Sequence, residues 1–121
     1  MLHLPFIYVR PSPLGGRGVF TAQDIAAGTI VELAPVIVLS SQDRAVIHAT
    51  GLHDYYFLWD VDGAAIALGY GSLYNHASEG NLDFEMDYDY DQIRFVAARN
   101  VAAGDELLIN YVAGGGETLW F

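Results

Sequence analysis

Apolar positions along this chain come in short, β-branched runs separated by glycine, proline and acidic residues, the pattern of many short strands rather than a few long helices. "FIYVR" (6–10) reads as a first strand. "TIVELAPVIVLS" (29–40) reads as a second, interrupted at Pro35, whose ring nitrogen cannot donate to a central ladder. "SQDRAVIHATG" (41–51) is the best helix, with Ser41 as its cap, Ala45, Val46 and Ala49 as its apolar stripe and Gly51 as its end. "YYFLWD" (55–60) and "AAIAL" (64–68) form a hairpin around "DVDG", whose Asp62–Gly63 pair suits a tight turn. "IRFVAARNV" (93–101) and "DELLINYV" (105–112) read as the last two strands. The glycine triplet 114–116 is a loop, and "TLWF" closes the chain. No boundary divides residues 1–121, so a single, mostly β domain is expected.

One internal echo stands out. "DIAAG" (24–28) recurs as "NVAAG" (100–104), and the flanking "VFTAQDIAAGTIVE" and "FVAARNVAAGDELL" share an apolar pattern. Each copy reads as strand, tight turn, strand. Two such units predict a compact clip of small sheets.

Composition narrows the function. With 53% hydrophobic and 17% charged residues over 121 positions, the chain can bury one core. No apolar run is long enough to span a membrane as a helix. The start, "MLHLPFIYVRP", lacks the basic region and long apolar stretch of a secretion signal, so a cytoplasmic location is expected. The absence of cysteine excludes disulfides, thiolate metal clusters and thiol nucleophiles. The basic residues are all arginine (Arg10, Arg17, Arg44, Arg94 and Arg99), which excludes a P-loop lysine and Schiff-base chemistry. A net charge of −10 argues against direct binding to nucleic acid and favours a basic protein or peptide partner. Homodimerisation is left open.

Three segments far apart in sequence carry candidate chemistry. "SPLGGRGVF" (12–20) frees the backbone at Gly15, Gly16 and Gly18 to approach a ligand, but no helix follows and the dinucleotide fingerprint is incomplete. Asn75 and His76 form a polar pair inside "GYGSLYNHASEGNLDF" (69–84), a turn or a ligand site. "GDELLINY" (104–111) ends on Tyr111, and a tyrosine at a strand end is by position alone more often a core residue than a catalyst. The acidic stretch "FEMDYDYDQ" (84–92), read as a strand, aligns Glu85, Asp87, Asp89 and Asp91 on one face, either solvated or docking a basic peptide. It is no EF-hand, because Gln92 stands where glycine is required. His3, His48 and His53 lack partners at ligand spacing, and no metal site is expected.

In this order the three segments resemble the motifs of the SET-domain family of S-adenosylmethionine-dependent protein lysine methyltransferases. "GGRGVF" is similar to its first motif, "LYNH" to its asparagine–histidine motif, and "GDELLINY" to its Gly-Glu-Glu-Leu…Tyr motif. The "AAG" echo falls where the family carries a repeated "A-x-x-[IV]-x-x-G". The likeness runs from about Ser12 to Phe121 and is nearest to the short viral and bacterial SET proteins that lack cysteine-rich zinc segments. It implies a β-clip of several small sheets with short helices and a knot-like threading of the C-terminal segment. It implies S-adenosylmethionine as cofactor, lying along Gly16, Arg17 and Gly18, with Asn75 at its amino end, His76 near the adenine and Trp120 beside it. Tyr55, Tyr56 and Phe121, with Trp120, would wall a channel for the substrate lysine. "ASEGN" departs from the family's Ser-x-x-Pro-Asn, with Ala77 for a hydroxyl and Gly80 for a proline, so a looser loop is expected there.

The resemblance also implies a mechanism. A free lysine has a pKa near 10.4, so only roughly half a percent is neutral near pH 8. An apolar channel facing a sulfonium cation disfavours the protonated amine. Tyr111 would orient that amine for in-line displacement, and the transfer would depend mostly on positioning. The resemblance has a rival outcome, a catalytically weak SET-like module that binds cofactor or peptide without turnover. The altered "ASEGN" loop is the feature that favours it.

Overall fold

The computed structural model describes residues 6–111, and its architecture is mostly β. β1 (Ile7–Pro11) and β2 (Arg17–Thr21) form an antiparallel hairpin in register from Ile7↔Thr21 to Pro11↔Arg17. Their connection is closed by Ser12, whose amide donates to Gly16 O and whose carbonyl accepts from Gly15 N. Gly15 and Gly16 hold φ of 109° and 58°, a left-handed backbone that other residues enter only with strain.

β3 (Ile30–Leu39) is one continuous strand through Pro35, where the sequence suggested an interruption. Pro35 is tolerated because it stands where β3 changes partner. Residues up to Pro35 pair with β8 (Gln92–Ala97), and Val36 to Leu39 pair with β5 (Gly63–Ala67). The Pro35 carbonyl accepts from Leu68 N at 2.8 Å.

The helix, α1, covers Ser41–His48 and is capped by Ser40 rather than Ser41, the Ser40 hydroxyl accepting from Asp43 N. It ends three residues before Gly51, and the Thr50 hydroxyl donates to Ile47 O. The expected stripe is also displaced: Ala45, Val46 and Ala49 are exposed, while Ser41, Arg44 and Ile47 form the half-buried side. No residue of α1 is fully buried.

β4 (Tyr56–Trp59) pairs with β5 in a hairpin whose left-handed residue is Asp60, φ 57°, not Gly63. Gly63 opens β5 instead, where a Cβ would stand 2.8 Å from Leu39 O. A 3-10 turn (Gly71–Leu73) leads into β6 (Asn75–His76), a two-residue strand parallel to β9 (Glu106–Ile109). β7 (Leu82–Asp87) runs antiparallel to β8. The acidic stretch is therefore not one strand. Glu85 and Asp87 lie on β7, while Asp89 and Asp91 belong to the reversal into β8. The Asp87 carboxylate accepts from Asp89 N and Tyr90 N, and Asp91 is left-handed at φ 49°. A hydrogen bond from Gln92 Nε2 holds the Asp87 carboxyl below the usual range.

The strands are joined in the order β1-β2-β9-β7-β8-β3-β5-β4, with β6 on β9. The "AAG" echo explains the centre of this arrangement. β2 leads through the first copy to β3, β8 leads through the second to β9, and the units exchange partners as β2·β9 and β3·β8. Ile25 and Val101 exchange both backbone hydrogen bonds at 2.8 Å. The Asp24 carboxylate accepts from Ala103 N, and the Asn100 side chain accepts from Ala27 N. Gly28 and Gly104 take the same left-handed turn, φ 86° and 91°. Ile7, Val19, Leu82, Ile93, Phe95, Leu107 and Ile109 fill the core below. The expected C-terminal threading, Trp120 and Phe121 all lie outside the described residues.

Candidate active site

The site is built around β9, whose two edges bring together segments distant in sequence. β2 pairs along one edge (Phe20↔Glu106) and β6 along the other (Asn75↔Leu108). Glu106 sits between them. Its carboxylate accepts from Asn75 Nδ2 at 2.7 Å and from the Ser12 hydroxyl at 2.7 Å. The other Asn75 amide hydrogen goes to Arg17 O at 3.0 Å. With both amide hydrogens held by the protein, Asn75 offers its side-chain oxygen as an acceptor for a ligand. Gly18 leaves room for this arrangement: a Cβ there would overlap the Glu106 carboxylate, which would have to shift, and approach Asn75 Nδ2 to 3.0 Å.

Tyr111 stands at the end of β9. Its amide donates to His76 Nδ1 at 3.1 Å, and its hydroxyl donates to Tyr74 O at 2.7 Å. Burial pushes the Tyr111 phenol up to about 12, with the nearby charge of Asp54 adding to the effect. The hydroxyl therefore stays protonated through neutral and mildly alkaline pH. His76 is a brace behind Tyr111, its ring centroid 5.1 Å away.

An open pocket of about 200 Å³ is lined by Gly15, Gly16, Arg17, Asp54, Tyr55, Ser72, Leu73, Asn75 and Tyr111. Among the residues singled out from the sequence, Gly16, Arg17, Tyr55, Asn75 and Tyr111 thus meet at one cavity. Gly18 and His76 lie directly behind it. Tyr56 does not line it: its ring is buried, with 6% exposure, and its hydroxyl is 2.7 Å from His48 Nδ1. Tyr55 lies in the bend before β4 and is exposed, whereas Tyr56 opens the strand and turns inward.

Sequence reasoning gave no role to Glu106, Ser12, Asp54 or Ser72. Glu106 was legible only as a motif letter, and its partners lie 94 and 31 positions away. The loop after His76 is not loose. Ala77 N donates to Ile109 O, Asn110 Nδ2 to Ser78 O, and Arg99 to the carbonyls of Glu79 and Gly80. Asn81 bonds β9 through both ends of its amide, at Glu106 O and Leu108 N. A Cβ at Gly80 would come within 2.7 Å of Leu108 O and 2.9 Å of Ile109 Cα, so glycine lets the loop pack against β9. Proline is replaced here by close backbone contact.

The pocket fits a zwitterionic, nucleoside-sized ligand in its polar parts. The Cβ directions of Gly15 and Gly16 meet no atom within 4 Å, leaving backbone open to a ligand, and Arg17 and the Asn75 oxygen supply a cation and an acceptor. Among the described residues no cluster of three or more His, Asp or Glu side chains could hold a metal ion.

Comparison with known proteins gives this geometry its family. The SET domain profile matches residues 16–112. The chain is 32% identical over 115 residues to the H3 lysine-37 specific histone-lysine N-methyltransferase of Schizosaccharomyces pombe, covering 93% of this chain and 75% of that protein. A candidate histone methyltransferase of Plasmodium falciparum superposes with a TM-score of 0.69 at 28% identity, covering 92% of this chain and 96% of that one. The Chaetomium thermophilum Polycomb Repressive Complex 2, in an autoinhibited conformation bound to S-adenosylmethionine, superposes at 0.70 with 25% identity, covering 87% of this chain and 15% of that one. The motifs on β2, β6 and β9, the architecture and the relatives agree: the chain belongs to the SET domain family of S-adenosylmethionine-dependent protein-lysine methyltransferases.

Proposed function

We propose that this methyltransferase acts on lysine side chains of basic, histone-like proteins, with Tyr111 at the transfer centre. The observation that carries this reading is the convergence of Asn75, Tyr55 and Tyr111 on one pocket, beside a hydroxyl that stays protonated. Gly16, Arg17, Gly18, Asn75 and His76, with Trp120, would hold S-adenosylmethionine, which when bound supplies the methyl group and a positive charge at sulfur.

This chain's own residues do the rest. Asn75, its amide hydrogens fixed by Glu106 and Arg17 O, presents its oxygen to an ammonium group. Tyr55 and Leu73 are the apolar part of an otherwise polar lining, and an amine desolvated against them would be favoured in its neutral form. With its hydrogen donated to Tyr74 O, the Tyr111 hydroxyl would act toward an amine N–H as an acceptor and hold the lone pair in line. Asp54, an exposed carboxylate of the lining, attracts the cationic side chain, whose proton then passes to solvent at the open mouth of the pocket. The net charge of −10 supports a basic substrate in the same way.

The test is to incubate the protein with labelled S-adenosylmethionine and a panel of histones, other basic proteins and neutral or acidic controls, with mass spectrometry of the labelled residue. Label on lysine of the basic proteins is expected. Cofactor binding without transfer to any protein would mark the silent module, and equal labelling of acidic controls would remove the charge argument. Because the chain has no lysine, label at its own mass would not be a lysine product.

A further inference from the structure

The strand β3 contains one acid, Glu32, in a run of apolar residues, and its side chain turns into the molecule rather than toward solvent. Its two carboxylate oxygens bind the two ends of one short loop. Oε2 accepts from Tyr70 N at 2.8 Å, and Oε1 accepts from the Tyr74 hydroxyl at 2.7 Å. Between these residues lies the tight Gly71–Leu73 turn, itself pinned where the Ser72 hydroxyl accepts from Ala67 N. The chain makes room for the carboxylate. Gly69 is left-handed at φ 64°, and a Cβ there would overlap Glu32 Oε2. Among the described residues no cation pairs with Glu32. Burial raises its carboxyl above the ordinary value of 4.5, and the two hydrogen bonds only partly offset this.

The Tyr74 ring is 1% exposed and packs on Phe95 at 4.6 Å between centroids. Its hydroxyl is held by Glu32, and its carbonyl holds the Tyr111 hydroxyl. We propose that Glu32 is a positioning residue for methyl transfer: it fixes the Tyr70–Tyr74 loop so that the Tyr74 carbonyl aims the Tyr111 hydroxyl. Glu32 touches neither substrate nor cofactor; it acts through Tyr74.

The alternative role, a buried group that merely stabilises the core, makes the opposite prediction about stability. A carboxyl whose folded pKa is raised contributes stability below its unfolded value and loses it as pH rises through the folded value. Above its raised folded value the charged carboxyl is disfavoured by the fold, so there Glu32→Gln should leave the melting temperature unchanged or higher. The amide introduced by Glu32→Gln can still accept from Tyr70 N through its oxygen. Its nitrogen then faces the Tyr74 hydroxyl as a donor, so the bond between them must reverse and the buried phenol hydrogen loses the acceptor that now fixes it.

The inference rests on the methyltransferase reading above, and wild-type turnover is the reference in every arm. We expect Glu32→Gln to lower kcat about tenfold, the scale of a misplacement well under 1 Å, with S-adenosylmethionine affinity by calorimetry and peptide KM each within about twofold. Tyr74→Phe removes the same hydrogen bond from the other side and should give the same loss, so the test survives poor folding of one variant. The deciding measurement is the cycle with Tyr111→Phe. If Glu32 acts through Tyr111, Glu32→Gln in that background should cost little further activity. Additive losses, or wild-type kcat in both Glu32→Gln and Tyr74→Phe, would overturn the role. A wild-type protein that binds cofactor and methylates nothing would refute the methyltransferase reading itself, and this role with it.

Discussion

Removing the Glu106 carboxylate should weaken cofactor binding without unfolding the protein. Glu106→Ala deletes two charge-assisted hydrogen bonds, to Asn75 Nδ2 and to the Ser12 hydroxyl, each 2.7 Å long. Such bonds are worth about 1.5–3 kcal/mol when shielded from water. Glu106 is only half-buried, so the lower end applies, and water can replace part of each. The Ser12 bond steadies the β1–β2 turn and bears on stability. The Asn75 bond bears on the site, because without it the amide can rotate and its oxygen loses a fixed direction. About 1.4 kcal/mol of lost preorganisation corresponds to a tenfold weaker Kd. Calorimetry with S-adenosylmethionine measures this directly, with circular dichroism checking that the sheet persists. In an Asn75→Ala background the second change should weaken binding by less than about twofold, since its beneficiary is gone. An unchanged Kd in folded Glu106→Ala would refute the claim that this carboxylate orients Asn75.

Tyr111→Phe should keep cofactor affinity and lower kcat by about two orders of magnitude, the scale for losing one oriented polar group at a transition state; full activity would remove Tyr111 from the centre. Because the Tyr111 phenol is pushed up to about 12, kcat should rise with pH from about 7 to 10 as lysine loses its proton, with no falling limb from Tyr111. A bell centred near pH 8 that vanishes in Tyr111→Phe would contradict the pKa argument. Gly80→Ala drives a Cβ into the β9 backbone and should lower stability by about 1–3 kcal/mol, read as a lower denaturation midpoint; a neutral effect would mean the loop yields. Removing residues 120–121 should impair transfer more than melting temperature if Trp120 and Phe121 wall the channel.

How far the sequence disclosed the fold depended on whether a rule was local. Most strand positions followed from β-branched runs, though not β6 at Asn75–His76, and the "AAG" echo announced the paired turns correctly. It could not announce that the turns cap each other, since Asp24 bonds Ala103 and Asn100 bonds Ala27 across the whole chain. Adjacent serines at 40 and 41 made the helix start ambiguous by one position, and the stripe failed separately, because Ala45, Val46 and Ala49 face solvent while Ser41, Arg44 and Ile47 face the molecule. The acid–aromatic alternation in 84–92 satisfied the strand rule, yet Asp87 was accepting from two following amides and turning the chain. Side-chain competition with the ladder is invisible to a period count.

The site was legible in its landmarks and hidden in its supports, for one physical reason. Asn75, His76 and Tyr111 stand next to turns or strand ends, where an unusual residue is conspicuous. Glu106 and Glu32 are single acids on strands, and either would serve equally well as a solvated surface group. What distinguishes them is the company brought by the fold. β9 joins β2 on one edge and β6 on the other, so Glu106 falls between Ser12 and Asn75. β3 passes under the loop before β6, so Glu32 falls between Tyr70 and Tyr74. In both places a glycine leaves room for the carboxylate, Gly18 for Glu106 and Gly69 for Glu32. That pairing is itself a signal: in the strand-rich β-clip, an isolated acid whose oxygen would overlap a glycine Cβ marks a carboxylate that the backbone was shaped to receive. Such acids hold the landmarks in place: Glu106 fixes the Asn75 amide, and Glu32 fixes the loop whose Tyr74 carbonyl accepts from the Tyr111 hydroxyl.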